Sequence, residues 1–303
     1  MIDTRLTRKF GLTCPIVLAP MSHAAGGKLA AAVSAAGGLG FIGDGGGDLE
    51  WIGAQLDEAA DEAIGCGFAT WRLSRMPSTL DRVLKRRPKA VFLSYGDPRP
   101  FAPTIRQEGI PLVCQVHSLQ EARQAVEAEA DIIVAQGCAA GGYSAERSTL
   151  TLVPEVADFL YKASHETLLL AAGGVADSRG LAASIVMGAD GVVMGTRLWA
   201  SQEVLLTPGD AGIALNATGD DTRRIEGSGE SKDTMWPEAY RLRALTDDFA
   251  RHWTKEYDPA SLKAPVGEAI GLVHSTPPVG EIIDTITTKA ERLLTHVQRK
   301  VIH

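Results

Sequence analysis

The fold is decided by a unit that recurs along the chain and is clearest near residues 168–196. Leu168-Leu169-Leu170-Ala171-Ala172-Gly173-Gly174 is a short apolar run that ends in two glycines, and a helix-like segment follows at 178–187. The next apolar run, Gly191-Val192-Val193-Met194, ends at Gly195-Thr196. Continuous apolar strands that alternate with helices predict a parallel sheet that is covered on both faces.

The same alternation extends back to the start of the chain. The predicted strands lie at residues 16–19, 39–42, 67–69, 90–94, 111–116, 131–135, 168–172 and 191–194. The predicted helices lie at residues 28–36, 49–64, 78–87, 100–108, 118–129, 153–164 and 178–187. Eight such units predict an α/β fold, the (β/α)8 or TIM barrel. A doubly wound parallel sheet stays open as the structural alternative, because periodicity alone does not exclude it.

The alternation stops near residue 200, which suggests two domains. We expect a barrel over residues 1–200 and a helical subdomain over residues 201–303 that packs on it. Within the second part, residues 220–232 are polar and are predicted as a loop. Residues 236–257 and 281–297 have helical spacing of apolar side chains and are predicted as helices.

Composition limits the class of function. The chain has 303 residues, of which 45% are hydrophobic and 22% charged, as in an ordinary soluble globular protein. The net charge of −7 argues against a nucleic-acid or anionic-membrane surface. Neither a membrane-spanning apolar run nor the apolar core of a signal peptide is evident. The four cysteines lack a CxxC motif and metal-ligand spacing, so we expect a reduced, cytoplasmic setting and no metal.

Two glycine-containing turns predict a phosphate site. In a (β/α)8 barrel, ligands bind at the carboxyl ends of the strands, and the loops after strands seven and eight commonly hold a phosphate. Gly173-Gly174 and Gly195-Thr196 occupy these loops, and each leads into a helix whose N-terminus favours an anion. The same glycines could instead serve only as tight turns between strand and helix.

Two glutamines lie near the ends of neighbouring predicted strands. Gln115 belongs to the fifth strand, and Gln136 follows the sixth. A glutamine amide both donates and accepts hydrogen bonds, so the pair suits the polar edge of a flat heteroaromatic ligand. Gln136 could alternatively hold its own loop, residues 137–143, in place.

The order of these motifs is similar to that of the nitronate monooxygenase family, once called 2-nitropropane dioxygenases. The resemblance covers residues 10–200, with looser similarity through Trp236-Pro237. The matching motifs are Ala19-Pro20-Met21, Gly37-Gly38-Leu39-Gly40, Gly67-Phe68, Gln115-Val116, Gln136-Gly137, Gly141-Gly142, Ala172-Gly173-Gly174-Val175-Ala176-Asp177, Gly188-Ala189-Asp190-Gly191-Val192 and Met194-Gly195-Thr196-Arg197. The resemblance implies an FMN-dependent (β/α)8 oxidoreductase that converts an alkyl nitronate and O2 to a carbonyl compound and nitrite.

The resemblance also implies a set of FMN-binding residues. Those along or near the flavin ring would be Ala19, Pro20, Met21 and Gly67. Those at its polar edge, at the ribityl chain and in the adjoining wall would be Gln115, Gln136, Gly141 and Gly142. Those at the phosphate would be Gly173, Gly174, Gly195 and Thr196.

One loop departs from the family pattern. Where the family reads Gly-x-Glu-Ala-Gly-Gly-His, this chain has Ala139 for the glutamate and Tyr143 for the histidine, which in the family is the catalytic base or hydrogen-bond donor. A tyrosine with its ordinary pKa near ~10 is a poor base at neutral pH. We therefore expect oxidation of an anionic nitronate rather than proton abstraction from a neutral nitroalkane. Tyr143 could still donate a hydrogen bond to an oxyanion.

Two histidines could replace the missing one. His23, in the loop after the first strand, is the second catalytic candidate, although a solvated loop histidine is the simpler interpretation. His117 follows Gln115 by two residues and would share its strand face, but it adjoins the start of a helix.

Three functional alternatives stay open. The first is an NAD(P)H-dependent FMN reductase of a quinone or enone. The second is a redox-neutral isomerase or lyase that uses Tyr143 as an acid, and the third is a flavin-binding protein without catalysis. The expected partners are a small-molecule substrate and O2, with a homodimer left open.

Overall fold

Eight parallel strands form the barrel that the sequence predicts. The computed structural model describes residues 2–60, 62–163, 166–205, 215–225, 236–245 and 264–301. The barrel strands are β1 (Ile16–Leu18), β2 (Phe41–Ile42), β3 (Gly65–Ala69), β4 (Val91–Ser94), β5 (Leu112–Val116), β6 (Ile132–Gln136), β8 (Leu168–Ala172) and β9 (Gly191–Met194). Their order is β1-β9-β8-β6-β5-β4-β3-β2. A parallel bridge between Val17 and Leu39 joins the two ends of this order and closes the barrel.

Helices surround the strands. They are α1 (Arg5–Phe10), α2 (Gly27–Ala35), α3 (Leu49–Glu58), α4 (Thr70–Leu73), α5 (Ser78–Leu84), α6 (Ala102–Gln107), α7 (Leu119–Glu127), α8 (Thr149–Ala163), α9 (Ser178–Val186), α10 (Thr196–Trp199) and α11 (Val279–Val301). The helix predicted at 281–297 is confirmed as α11, which packs against α9 and α2. The proposed boundary near residue 200 therefore separates segments that share one helical layer. Within the described ranges, no helix is long and apolar enough to cross a membrane.

The alternation of side chains along each strand builds two apolar layers. On β6, Ile132 and Val134 belong to the cluster inside the barrel, whereas Ile133 and Ala135 belong to the cluster between strands and helices. The rings of Phe41 and Phe92 meet edge to face inside the barrel, with centroids 5.4 Å apart. Because both faces are buried, these strands are apolar except for a few residues at or near their carboxyl ends, which is why the sequence identifies them.

A second, three-stranded antiparallel sheet lies outside the barrel and was not predicted. Its strands are β7 (Gly142–Ser144), β10 (Thr222–Ile225) and β11 (Arg241–Leu245), in the order β10-β11-β7. The predicted loop at 220–232 thus contains a strand. The predicted helix at 236–257 is wrong over its described part, 236–245, because residues 236–240 form a turn and irregular backbone and residues 241–245 form β11. Its remainder, 246–257, and residues 226–232 of the loop lie outside the described residues.

The physical reason for this error is a conflict between two periodicities. Arg241, Leu242, Arg243 and Ala244 alternate between charged and apolar side chains, which suits a strand. Leu242 pairs with Tyr143 across the sheet, although about a hundred residues of chain lie between the two. The apolar side chains of residues 236–257 have helical spacing, so the shorter alternation at 241–244 was not recognised as a strand. The partner of this strand is distant in sequence.

Candidate active site

The residues expected along a flavin ring meet where the carboxyl ends of β1 and β9 lie near Gly67, in the middle of β3. A Cβ built on Gly67 would overlap the Pro20 side chain. A Cβ on Gly195 would lie 3.5 Å from Ala19 Cβ and 3.6 Å from Met21 Sδ. The structure therefore brings these five residues together, and glycine at position 67 leaves room for Pro20.

Of the two turns proposed for a phosphate, Gly173-Gly174 has left-handed backbone, whereas Gly195 has φ −100°. Gly173 has φ +92° and Gly174 has φ +81°, a conformation that glycine adopts readily. The hydroxyl of Thr149 donates to the Gly173 carbonyl at 2.8 Å and fixes this turn. In the first turn of α9, the backbone N–H groups of Arg179 and Gly180 already donate to the Asp177 carboxylate. An anion here would use the N–H groups of the turn rather than the helix terminus.

The wall loop, residues 137–142, is covered by a segment near the C-terminus. We call residues 264–272 the strap. A Cβ on Gly141 would overlap the backbone of strap residues 265–267. The Glu268 N–H donates to the Ala139 carbonyl at 3.0 Å, and the Gly267 N–H donates to Thr196 Oγ1 at 2.9 Å. The strap thus ties the wall loop to the turn after β9. Gly142, by contrast, has φ +70° and open space where a Cβ would stand.

A buried arginine reinforces the same loop. Arg243 of β11 is 8% exposed, and its Nε donates to the Cys138 carbonyl at 3.0 Å. Its Nη2 pairs with Glu268 Oε1 at 2.8 Å, and its Nη1 donates to the Thr222 hydroxyl at 3.1 Å. One side chain therefore joins the wall loop, the strap and the small sheet.

Gln115 and Gln136 converge on a histidine between them. His117 Nε2 lies 3.1 Å from Gln136 Oε1 and 3.4 Å from Gln115 Nε2. Gln136 Nε2 donates to the Tyr143 carbonyl at 3.4 Å, and the Tyr95 hydroxyl donates to the same carbonyl at 3.0 Å. The amide pair predicted from the sequence is therefore one connected network.

The opposite side of His117 is held by Glu121. Ser118 caps α7, since its hydroxyl accepts from the backbone N–H of Glu121 at 3.1 Å. The Glu121 carboxylate in turn accepts from the backbone N–H of His117. Burial opposes ionisation of Glu121, but its hydrogen bonds and charge interaction with His117 lower its pKa overall. The Tyr240 hydroxyl donates to Glu121 Oε1 at 3.1 Å. Burial and then the Glu121 charge raise the pKa of Tyr240, so its hydroxyl keeps the proton.

Tyr143 belongs to an aromatic cluster. Its ring stacks on Trp236 with centroids 3.6 Å apart and planes inclined by 11°. Trp236 also makes edge contacts with Trp71 and Tyr95. Burial raises the pKa of Tyr95. The position of the family histidine is therefore occupied by a ring packed flat against an indole.

His23 lies in a different cluster. It is exposed, its ring contacts Trp51 edge to face at 5.3 Å, and its Nδ1 lies 3.3 Å from the Ser22 hydroxyl. The described contacts place His23 beside the loop after β2, whereas Tyr143 packs on Trp236. They do not join the two catalytic candidates directly.

Several residues of the site were missed by sequence reasoning. Trp236 and Tyr240 were assigned to a helix, although Trp236-Pro237 belongs to the resemblance. Tyr95 follows β4 directly and could have been found, because polar residues at strand ends face the ligand in this fold. No sequence pattern points to Arg243, because its partners are one backbone carbonyl and two side chains from distant segments.

The chain is similar to known nitronate monooxygenases. The family profile named nitronate monooxygenase matches residues 54–223. Nitronate monooxygenase npaC of Metarhizium robertsii is 32% identical, over 93% of this chain and 92% of that protein. A nitronate monooxygenase of Neurospora crassa is 28% identical, over 93% of this chain and 90% of that protein.

Solved structures show the same architecture. FabK from Thermotoga maritima superposes with a TM-score of 0.86 at 27% identity, over 99% of this chain and all of that one. A nitroalkane oxidase from Streptomyces ansochromogenes, at 19% identity and a TM-score of 0.78, shares the fold. Fold and site define an oxidoreductase built on a (β/α)8 barrel. The chain belongs to the nitronate monooxygenase family.

Proposed function

We propose that this protein is an FMN-dependent nitronate monooxygenase that converts an alkyl nitronate and O2 to a carbonyl compound and nitrite. The observation that carries the proposal is the meeting of Gln115 and Gln136 at adjacent strand ends in a chain of this family. Their amides offer donors and acceptors of the kind that the polar edge of a flavin requires.

The residues present fit FMN in two further respects. Left-handed Gly173 and Gly174 leave backbone close to the strand ends, where a phosphate could be bound without steric conflict from side chains. Glycine at position 67 lets Pro20 pack against β3 at the place proposed for the flavin ring, since a Cβ there would overlap the Pro20 side chain. Bound FMN would supply the two-electron acceptor and the reactivity with O2. The chain would supply binding, orientation and exclusion of water.

Tyr143 supports a nitronate rather than a nitroalkane as substrate. A nitronate has already lost its α-proton, so its oxidation needs no general base. The Tyr143 ring packs on Trp236, and its carbonyl accepts from Tyr95 and Gln136. Tyr143 would therefore act as a fixed wall beside the substrate and not as a proton acceptor. A cytoplasmic location and a homodimer stay predictions.

Product analysis tests the proposal. The purified protein is reconstituted with FMN and supplied with propyl-2-nitronate in air. We expect oxygen consumption with equal amounts of nitrite and acetone formed. Consumption of NADH with a quinone, but no nitrite from the nitronate, would instead support the reductase alternative. Turnover of a carbonyl substrate without oxygen consumption would support a redox-neutral enzyme.

A further inference from the structure

The wall loop, residues 137–142, has almost no polar side chain with which to hold its own position. It reads Gly-Cys-Ala-Ala-Gly-Gly, with Ala139 where the family pattern has glutamate. Inside the loop, the Ala140 N–H donates to the Gly137 carbonyl at 3.1 Å. The carbonyls of Cys138 and Ala139, by contrast, accept hydrogen bonds from segments that follow the barrel. A loop assigned to the FMN site is therefore held in place by residues outside the barrel.

Arg243 and Glu268 join these two carbonyls in a closed ring of contacts. Arg243 Nε donates to the Cys138 carbonyl at 3.0 Å, and Arg243 Nη2 pairs with Glu268 Oε1 at 2.8 Å. The backbone N–H of Glu268 donates to the Ala139 carbonyl at 3.0 Å, which closes the ring on the next residue of the loop. The Arg243 side chain is 10% exposed, whereas that of Glu268 is 48% exposed. Because solvent screens the carboxylate, the buried guanidinium is the dominant group of the ring.

The strap also meets the wall loop at two glycines. A Cβ on Gly267 would lie 2.4 Å from the Ala139 carbonyl oxygen and 2.6 Å from the Gly141 nitrogen. A Cβ on Gly141 would lie 2.4 Å from the Pro265 carbonyl oxygen. Since Gly267 has φ −90°, the lack of space, and not the backbone conformation, requires glycine there. The strap can approach the loop this closely because both positions lack a side chain.

We propose that Arg243 is a positioning residue that, together with the strap, fixes the wall loop where FMN requires it. The proposal rests on the proposed function, because the wall loop and Thr196 are assigned to FMN there. The Gly267 N–H donates to Thr196 Oγ1 at 2.9 Å, so the strap also fixes the turn after β9 relative to the wall loop. Residues beyond 200 thus complete the cofactor site, and weakening their hold on the loop accelerates the release of FMN.

Amide hydrogen exchange of the protein without flavin tests the positioning role. Arg243→Met removes the dominant group of the ring. We expect the backbone N–H groups of Cys138, Ala140 and Glu268 then to exchange about tenfold faster or more, because the loop loses a hydrogen bond from a charged donor. Arg243→Lys keeps the charge and should restore part of the protection. Unchanged exchange in the wall loop, or an equal acceleration throughout β5, would overturn the proposal.

Gly267→Ala tests the same hold without removing a charge. The added Cβ must push the strap away from the Ala139 carbonyl, so we expect the amides of the wall loop to exchange faster in this variant also. Gly280→Ala is the matched control, since its Cβ meets nothing within 4 Å, and it should leave their exchange unchanged. Equal exchange in the two alanine variants would contradict a role for the strap.

The rate of FMN release from the loaded protein tests the consequence for the cofactor, and the return of flavin fluorescence after dilution measures it. We expect release to be about tenfold faster or more in Arg243→Met, and less accelerated in Arg243→Lys. Arg241→Met, on the same strand, is the control and should leave the rate unchanged, because the Arg241 guanidinium donates to the nearby Glu238 carbonyl. Unchanged release in both Arg243→Met and Gly267→Ala would overturn the positioning role. Failure of the unaltered protein to bind FMN would overturn only the proposed function, since the exchange test needs no flavin.

Discussion

The phenol ring of Tyr143 lies flat on the indole of Trp236, with ring centroids 3.6 Å apart and planes inclined by 11°. The relationship matters because Tyr143 stands where the family has its histidine. The stack on Trp236 fixes the ring of Tyr143, and hydrogen bonds from Tyr95 and Gln136 fix its carbonyl. A ring held in this way forms a wall of the site, and its chemistry differs from that of an imidazole.

Tyr143→His should therefore widen the substrate range. A histidine can accept the α-proton of a neutral nitroalkane, whereas the phenol cannot at neutral pH. We expect the ratio of kcat/KM for nitroethane to that for its nitronate to rise about tenfold or more, within the range attributed to general base catalysis. Oxygen consumption measures both rates. Tyr143→Phe is the control and should leave the ratio unchanged; the same ratio in all three proteins would contradict a base role for this position.

Trp236→Ala should loosen the wall. Aromatic pairs contribute about 0.5–1.5 kcal/mol beyond the area that they bury. Because Trp236 is only partly buried, we expect the free energy of unfolding to fall by roughly 1–3 kcal/mol, less than for a core tryptophan. Urea unfolding measures this change. Trp236→Phe should retain most of the stability, and equal losses in the two variants would show that stacking is not what holds Trp236.

Gly67→Ala should displace the segment at the end of β1. The added Cβ would overlap Pro20, so Pro20 and its neighbours must move away from the proposed flavin ring. We expect a loss of FMN affinity of at least tenfold, measured by quenching of flavin fluorescence. Gly53→Ala is a matched control, since its Cβ meets nothing within 4 Å inside α3, and it should stabilise the protein by about 0.5–1 kcal/mol. Normal FMN affinity in Gly67→Ala would place the flavin elsewhere.

Glu121 should contribute a stability that depends on pH. Its pKa is lower in the folded protein than in the unfolded chain, so the unfolded chain binds a proton first as the pH falls. The stabilising contribution is complete above the unfolded pKa of about 4.3 and is lost as the pH falls through the lower folded pKa. Glu121→Gln removes this dependence. Urea unfolding between neutral pH and acid should show a smaller acid loss in the variant, and parallel curves would contradict the assignment.

The barrel could be predicted from sequence because each of its strands is buried on both faces. A run such as Ile132–Gln136 is apolar throughout up to its last residue, and its glutamine marks the strand end. The carboxyl ends of parallel strands converge, so Gln115, Gln136 and the glycine turns could be assigned to one site. The order of these motifs along the chain carried the family resemblance, which in turn implied FMN.

The small sheet and the aromatic cluster could not be predicted in the same way. β7 has only three residues, Gly142–Ser144, and pairs with a strand near residue 241. A pattern within a short stretch of sequence cannot indicate a pairing between strands so far apart along the chain. Trp236 and Tyr240 showed helical spacing, and only the folded chain brings them to Tyr143 and Glu121.

Anaerobic mixing of the FMN-loaded protein with propyl-2-nitronate is the most direct test that the protein oxidises a nitronate. We expect the nitronate alone to remove the visible absorbance of the oxidised flavin, and air to restore it while nitrite is released. A flavin that stays oxidised with the nitronate, yet is bleached by NADH, would show that the protein is not a nitronate monooxygenase.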